Sequence, residues 1–364
     1  PPPPPPDPTH PRPPHPPPFP PTNHQTTSKM KRSYYLFNPG RVSRKDNTLK
    51  FISCDAQGRE GKPKYLPIES IKSLYIFGSI DANSALYNFL GKQQIPVHFF
   101  DYYEHYTGSF QPKEFLLAGK MQVEQTKAYL QKRTRVYIAQ QLVKGASFNM
   151  LKNLRYYQSR GRELSPLIQD IERYRQDIGE TPDVATLMGL EGNCRQTYYE
   201  AFEQIINDFP MNGRHKRPPS NEVNALISFG NAMCYALSLD MIYHTQLNPT
   251  ISFLHEPGTR RYSLALDLAE IFKPIFVDRV IFRLLNRKEL NAGHFEQKLN
   301  GCFLKENGRK VFIQAFEEKL KETIQHRSLK RKVSYKRLVL LECYKISKYI
   351  LKMETEYKPF KIWW

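Results

Sequence analysis

The stretch Phe253-Leu-His-Glu-Pro-Gly-Thr-Arg-Arg-Tyr-Ser-Leu-Ala-Leu-Asp-Leu-Ala-Glu270 leads from a loop into a helix and is the most informative part of the chain. His255 lies just before a Pro-Gly pair, which is typical of a turn. The apolar residues after Ser263 recur at helical spacing, so we expect a helix over 262–272. Asp267 and Glu270 are three residues apart in this helix and therefore share one of its faces.

Two acidic side chains in an otherwise apolar helix are costly to bury unless a positive partner lies beside them. A divalent metal ion is one such partner. Arg260, Arg261 and Lys273 are the more ordinary ones, and the residue types alone favour them over a metal.

Two further stretches leave alternatives open. Glu191 stands between glycines in Gly189-Leu-Glu-Gly192, which would allow a nucleic-acid strand to approach the backbone closely. A surface glutamate at a break in a helix is the more common arrangement. The basic run Arg214-His-Lys-Arg217 is followed by two prolines, and a solvated loop is more common there than a phosphate contact.

The chain is strongly basic, with a formal net charge of +19 over 364 residues. Residues 271–364 carry 22 Lys and Arg against 10 Asp and Glu, so +12 of this charge lies in the last quarter. Such a protein attracts polyanions, and nucleic acid first among them. The segment 327–337 combines basic residues with Tyr335, a composition that suits a nucleic-acid backbone and equally a charged helix face.

Several enzyme classes lack their sequence signatures here. The chain has no GxGxxG, no GxxxxGKS/T, no GxSxG and no HExxH, so nucleotide hydrolysis and serine-hydrolase chemistry have no support. The five cysteines are widely spaced and odd in number, which indicates a reducing compartment rather than a disulfide framework or a zinc ribbon. We find no apolar run long enough to span a bilayer and no signal pattern, so the expected location is the cytoplasm.

Composition divides the chain into a tail and two folded parts. Residues 1–29 hold 15 of the 29 prolines and should form an extended or disordered tail, either a leader or the end of a linker from an upstream domain. Metal binding by the histidines of this tail is the less favoured alternative. Residues 30–110 alternate short apolar runs with turn signals, which predicts a small β-domain with strands at 34–37, 49–52, 73–77 and 95–100 and a helix at 83–92.

Residues 111–364 have helical periodicity. We expect one long helix over 116–158, with possible breaks at Gly119 and Gly145. The further predicted helices are 165–177, 195–208, 221–246, 262–272, 275–287, 311–325 and 334–352. The predicted fold class is therefore α+β, with a small N-terminal β-domain followed by a larger all-α catalytic domain.

Three motifs, taken in this order, resemble one known family. They are Met188-Gly-Leu-Glu-Gly-Asn-Cys-Arg195, Arg217-Pro-Pro-Ser-Asn-Glu-Val-Asn-Ala-Leu-Ile-Ser-Phe-Gly230, and Phe253-Leu-His through Glu270-Ile-Phe-Lys-Pro274. They are similar to the CRISPR-associated integrase and endonuclease, the first of the Cas proteins, and Ile95-Pro-Val-His-Phe-Phe100 adds to the likeness. The resemblance extends from about residue 31 to the C terminus. The amino-acid sequence of the second motif resembles that of the type I-B branch.

The resemblance implies a metal site and a reaction. In the family a Glu, a His and an acidic residue hold Mg²⁺ or Mn²⁺, and these fall on Glu191, His255 and Glu270. Many relatives have Asp where Glu270 stands. Asp267 matches a nearby acidic position that supports the site, and which of Asp267 and Glu270 binds the metal more closely is open. A free 3′-hydroxyl of the incoming DNA would then attack a phosphodiester of a CRISPR repeat, which inserts a new spacer.

The resemblance also implies partners. The N-terminal β-domain should form a homodimer, and a small dimeric second Cas protein should join two such dimers into a heterohexamer on double-stranded DNA in a prokaryotic cell. A fused or associated nuclease or reverse transcriptase occurs in some members. The residues expected to contact DNA phosphates are Arg195, Arg260, Arg261, Lys273, Arg327, Lys330 and Arg331.

Two rival functions are open at this point. One is a DNA-binding scaffold subunit without catalysis, against which the intact Glu191, His255 and Glu270 argue. The other is a stand-alone nuclease for branched DNA, or an integrase of a mobile element.

Overall fold

Two four-stranded sheets form the N-terminal part of the computed structural model, which describes residues 31–55, 57–113, 118–259, 261–298 and 301–363. The first sheet has the strand order β1-β5-β7-β8, in which β1, β5 and β7 are parallel and β8 is antiparallel. The second has the order β4-β3-β2-β6. The strands are β1 Arg32–Leu36, β2 Gly40–Lys45, β3 Thr48–Ser53, β4 Lys64–Pro67, β5 Ile71–Ile76, β6 Ile80–Asp81, β7 Val97–Phe100 and β8 Tyr106–Phe110.

The central strand β5 contributes to two separate cores because successive side chains of a strand point to opposite faces. Leu74 and Ile76 join a core between the two sheets, which is closed by helix α1 (Ser84–Lys92). Tyr75 and the following Phe77 face the other way, into the core of the helical region. The Phe77 ring lies 5.7 Å from that of Phe229, so this contact joins the sheet to the helices.

The rest of the chain is mainly helical, as predicted. The helices are α2 Gly119–Leu130, α3 Lys132–Gln158, α4 Ser165–Asp177, α5 Val184–Glu200, α6 Phe202–Ile205, α7 Glu222–Tyr243, α8 Ser263–Lys273, α9 Arg279–Asn286, α10 Glu306–Lys321 and α11 Tyr335–Ile350. The break in the long helix expected over 116–158 falls at Gln131. Gly145 lies inside α3, so the break suggested there does not occur.

The helical region also contains two short hairpins that the sequence analysis did not predict. They pair β9 (Phe295–Lys298) with β10 (Gly301–Leu304) and β11 (Thr323–His326) with β12 (Arg331–Ser334). The α+β class is confirmed, with a β region followed by a helical domain, but that domain is not entirely α-helical. The Pro-rich segment 1–29 lies outside the described residues.

Helix α7 forms the centre of the helical core. In the described part of the chain it alone is long and apolar enough to cross a membrane by length and composition, and 78% of the relevant window is buried inside the protein. It packs against α8 and the π-helical turn Pro274–Asp278 that follows α8. A Cβ atom on Gly230 would lie only 2.4 Å from Cγ1 of Val277, so glycine is required for this close approach.

The segment after α11 passes back over α3 and α8. The side-chain amide of Asn149 in α3 donates to the carbonyl oxygens of Ile271 at 2.9 Å and Phe360 at 3.3 Å. The Asn149 Oδ1 atom accepts from the backbone N–H of Ile362 at 2.8 Å. One buried side chain therefore fixes the last turn of α8 to the C-terminal segment 355–363.

His98 on β7 makes the stability of the fold depend on pH. Its side chain is fully buried, Nδ1 lies 2.7 Å from Ser109 Oγ, and burial lowers its pKa to about 4. Because the unfolded chain binds the proton at a higher pH than the folded chain, stability should fall as the pH drops from about 6.5 to about 4. Below about pH 4 the loss of folding free energy due to this histidine is complete and amounts to about 3 kcal/mol.

We predict that His98→Gln removes this part of the dependence of stability on pH. Glutamine keeps a hydrogen-bonding partner for Ser109 but has no titrating ring. Urea unfolding at a series of pH values should give a smaller decrease for the variant than for the wild type between pH 6.5 and 4. Equal decreases in the two proteins would show that His98 is not responsible.

Candidate active site

Two acidic side chains from different helices meet on one arginine. Glu191 lies in α5 and Glu270 lies in α8, and the guanidinium of Arg195 is placed between them. Arg195 Nη2 donates to Glu191 Oε1 at 2.9 Å and also to Glu270 Oε2. Lys273 donates to the other oxygen of Glu270. Four charged side chains, two of each sign, therefore form one partly buried cluster.

The electrostatics of this cluster favour the ionised form of Glu270. Burial by itself would raise the pKa of this carboxyl group, but the positive charges of Arg195 and Lys273 outweigh burial and lower it. The basic neighbours therefore hold Glu270 in the carboxylate form. It is available to bind a cation.

A fully buried carboxylate, Asp267, folds the preceding loop against α8. Its Oδ2 atom accepts from the backbone N–H groups of Phe253 at 2.7 Å and Leu254 at 2.9 Å. Its Oδ1 atom accepts from the backbone N–H of His255 at 2.9 Å and from the His255 ring nitrogen Nδ1 at 2.8 Å. Both oxygens of Asp267 are therefore used within the protein.

The bond to Asp267 sets the tautomer of His255. A carboxylate can only accept, so Nδ1 must donate, and Nε2 carries the free lone pair when the ring is neutral. Histidines that bind metals usually have their other nitrogen held in this way. Burial would lower the pKa of His255, but the hydrogen bond and charge of Asp267 outweigh burial and raise it.

The three predicted ligands are brought into one region. Glu270 lies one helical turn after Asp267, which holds His255, and Glu191 reaches Glu270 through Arg195. Within the described ranges, no three His, Cys, Asp or Glu side chains are close enough to form a metal cluster as they stand. The two glutamates are bridged by a guanidinium instead.

A cleft of about 560 Å³ opens beside this cluster. Its walls include Glu191, Arg195, Tyr199, Arg214 and Lys216. Arg214 is held in place by Asn224 Oδ1 at 2.8 Å and Ser228 Oγ at 3.0 Å. The basic loop 214–217 thus borders the charged cluster.

The structure corrects the alternative of a helix break at Glu191 and shows the partners of the neighbouring site residues. Glu191 lies inside α5 and not at a helix break, because the helix begins at Val184 after the N-cap Asp183 and continues through both glycines. Arg195 and Lys273, expected to contact DNA, form ion pairs with the carboxylates. Glu270 and Asp267 do have the basic partners and hydrogen-bond donors that their burial requires.

The other basic residues expected to contact DNA are spread over the surface. Arg261 donates to the carbonyl oxygen of Glu256. The Arg327 guanidinium lies 5.2 Å from the ring centre of Trp363, and Lys330 and Arg331 are exposed at the β11–β12 hairpin. Arg260 lies outside the described residues.

One acidic group near the site was not predicted from the sequence. Asp278 ends the π-helical turn after α8, is fully buried, and burial raises its pKa to about 7. Its charge is coupled to those of Arg195, Lys273 and Glu270. A single acid in the apolar run Pro274-Ile-Phe-Val-Asp278 was the signal available in the sequence.

Comparison with known proteins gives the family. The family model for CRISPR associated protein Cas1 matches residues 34–318. A CRISPR-associated endonuclease Cas1 from Thermodesulfovibrio yellowstonii is 46% identical over 334 residues, which cover 92% of this chain and 100% of the relative. The chain belongs to the Cas1 family. A Cas1 endonuclease from Fusobacterium nucleatum, 44% identical over 336 residues, covers 92% of this chain and is itself covered to 98%.

Solved structures agree with the assignment to the Cas1 family. A Cas1 protein from Thermotoga maritima superposes with a TM-score of 0.79 at 35% identity, over 88% of this chain and 97% of that one. A casposase bound to integration product has a TM-score of 0.78 at 19% identity, over 91% of this chain and 95% of that one, which shows a shared fold. The predicted function of a CRISPR-associated endonuclease and integrase is confirmed at the level of the Cas1 family. Dependence on a divalent metal is general among Cas1 endonucleases.

We predict that Asp267→Ala destabilises the protein by about 3 kcal/mol or more, because buried N–H groups of the 253–255 loop lose their acceptor. Urea unfolding should show this loss, and amide exchange at Phe253 and Leu254 should become much faster.

Asp183→Ala is the matched control, since this half-buried N-cap of α5 accepts a backbone bond from Thr186 at 2.8 Å and organises no loop. Its loss should cost only about 1 kcal/mol. Equal destabilisation by the two changes would mean that Asp267 does not organise the loop.

Proposed function

We propose that Glu191, His255 and Glu270 hold the divalent metal ion of this Cas1 integrase, and that this site inserts new spacers into a CRISPR array. The observation that carries the proposal is the meeting of Glu191 and Glu270 on one shared cation, beside a histidine whose Nδ1 is already held. A site that already binds one cation between two carboxylates has the charge that a metal ion requires.

The donor set fits Mg²⁺ or Mn²⁺. Two carboxylates and one imidazole offer mainly oxygen ligands, and Mn²⁺ tolerates the nitrogen ligand better than Mg²⁺ does. When bound, the ion neutralises charge on the attacked phosphodiester and lowers the pKa of the attacking 3′-hydroxyl.

The geometry supports Glu270 rather than Asp267 as the metal ligand. Both Asp267 oxygens accept hydrogen bonds from the 253–255 loop, so a metal bond would cost Asp267 its present partners. We therefore assign Asp267 as a positioning residue that orients the His255 ring. Glu270 needs only to exchange Arg195 or Lys273 for the ion.

The chain's own basic residues would guide the DNA. Arg195 and Lys273 neutralise the carboxylates until a cation arrives, and they then lie beside the phosphate to be attacked. Arg214 and Lys216 border the adjoining cleft. We retain Arg260, Arg261, Arg327, Lys330 and Arg331 as proposed contacts to the backbone of double-stranded prespacer and repeat DNA, which such side chains bind without reading sequence.

We further propose a homodimer formed through residues 30–110. Strands β1 and β8 lie at the two edges of the first sheet, and pairing with a second copy would cover such an edge. Sedimentation at micromolar protein concentration should give a dimer, whereas a monomer would count against this arrangement.

The second Cas protein is the proposed partner of the dimer. A Cas6-RT-Cas1–Cas2 complex shares the fold, with a TM-score of 0.78 at 15% identity. We propose a heterohexamer with Cas2 in the cytoplasm of a prokaryotic cell with a type I-B-like system. A size measurement of the mixed proteins tests the assembly. The genes beside this one test the subtype and any fused or associated nuclease or reverse transcriptase.

We predict that Glu191→Gln lowers strand transfer in Mn²⁺ by roughly 100-fold or more, because one carboxylate that neutralises the ion is lost. Affinity for DNA should change by less than about twofold, since Glu191 repels phosphate and does not bind it. Strand transfer into a repeat-containing duplex and fluorescence anisotropy measure the two effects separately.

Glu180→Gln, an exposed glutamate of the same helical region, is the control and should retain full activity. Undiminished strand transfer by the Glu191 variant would overturn the assignment and favour a different catalytic centre. Absence of strand transfer in the wild type, with DNA binding intact, would favour a scaffold subunit.

A further inference from the structure

Three cations surround one phenylalanine on the outer surface of α3. The Lys152 Nζ atom lies 5.7 Å from the ring centre of Phe148, the Arg175 Cζ atom lies at 5.7 Å, and the Lys361 Nζ atom lies at 5.6 Å. They come from α3, α4 and the C-terminal segment, so only the fold brings them together. Lys144 lies one helical turn before Phe148 on the same face of α3.

In the described part of the chain, no ion pair neutralises the positive charges of this cluster. Among the residues that the structure describes, Lys144, Lys152, Arg175 and Lys361 form no ion pair, and the nearby Glu172 is bound to Arg155. Arg175 donates only to neutral groups, the carbonyl oxygen of Lys144 at 2.9 Å and Ser147 Oγ at 2.6 Å. Burial lowers the pKa of Lys361, and the charges of Arg175 and Lys144 lower it further. The cations of the cluster therefore repel one another.

Attraction to the face of Phe148 offsets part of this repulsion, but a ring carries no net charge. An anion bound among the four cations would neutralise the remaining repulsion between them. The four cations lie on three separate elements of the fold. A row of lysines along a single helix would not require the tertiary structure in this way.

The cluster lies on a different face of α3 from the active site. The neighbouring Asn149 and Asn153 point inward, where they donate to the carbonyl oxygens of Ile271 and Pro274 beneath the catalytic helix α8. Phe148 and Lys152 point outward and are half-buried. A DNA strand in the catalytic cleft would therefore leave the cluster free for another part of the same DNA.

We propose that Lys144, Lys152, Arg175 and Lys361 form a second phosphate-binding surface that holds the DNA backbone away from the reacting phosphodiester. The proposal rests on the proposed function in that it takes DNA as the ligand. A phosphate offers several acceptor oxygens to donors held on different elements, and these four lie on α3, α4 and the C-terminal segment. The surface binds backbone and not bases, so its effect is the same for all DNA sequences.

The test compares two full-length triple variants that remove the same charge. Lys144→Gln/Lys152→Gln/Lys361→Gln removes three of the four cations and keeps Arg175, whose bonds to Lys144 and Ser147 hold α4 to α3. Lys62→Gln/Lys64→Gln/Lys92→Gln removes three exposed lysines of the N-terminal region that form no ion pair among the described residues. Anisotropy with labelled duplex DNA is measured at several salt concentrations. Each phosphate contact contributes about 0.9 to the slope of log affinity against log salt.

We expect the cluster variant to bind duplex DNA at least about tenfold more weakly, with a slope smaller by roughly two to three, while the control slope changes by less than about one. Thermal unfolding should show both variants folded, and Lys361→Gln alone, at an exposed position, should give a slope change of about one. Strand transfer at saturating DNA should be retained, because the cluster does not touch the catalytic side chains.

Equal slopes in the two triple variants would overturn the proposal. Unchanged DNA binding together with lost binding of purified Cas2 would also overturn it and identify the surface as a docking site for Cas2. The slopes do not depend on catalysis, so a failure of the Glu191 assignment leaves this result interpretable.

Discussion

The need to neutralise buried carboxylates on α8 determines the arrangement around it. Asp267 has no exposed surface, and the loop before α8 folds so that three backbone N–H groups and the His255 ring donate to it. Glu270 is almost as buried and is neutralised by Arg195 and Lys273. The same interactions that make burial of these acids tolerable therefore orient a histidine and draw Glu191 toward Glu270.

The rest of the helical region holds α8 in position. Asn149 joins its last turn to the C-terminal segment, and the Phe360 ring stacks on Phe272 at 5.6 Å. On the other side, Gly230 lets α7 approach the π-helical turn that follows α8. The C-terminal segment and α7 thus both hold α8 and its carboxylates in position, although neither contributes a ligand to the proposed metal site. The Phe148 cluster uses the outward face of the helix whose inward face supports α8.

The periodicity of apolar residues predicted most of the helices, because their buried positions repeat every three or four residues. It failed at α5, where Gly189 and Gly192 suggested a break that packing against α3 and α4 overrides. Strand β2 was missed because Gly-Arg-Val-Ser-Arg-Lys is mostly polar, and β4 because Lys-Tyr-Leu-Pro is only four residues long and ends in proline. Family resemblance pointed to Glu191, His255 and Glu270, but nothing local could place Arg195 between two of them. The Phe148 cluster was equally hidden, because its cations come from three distant segments.

The position of a bound Mn²⁺ ion tests the central claim most directly. Anomalous diffraction from crystals grown with Mn²⁺ should show one ion about 2.0–2.6 Å from carboxylate oxygens of Glu191 and Glu270 and from His255 Nε2. Arg195 should have turned away from both glutamates, and Asp267 should still accept from the 253–255 loop. An ion bound to Asp267, or an ion elsewhere with Arg195 still bridging Glu191 and Glu270, would contradict the account.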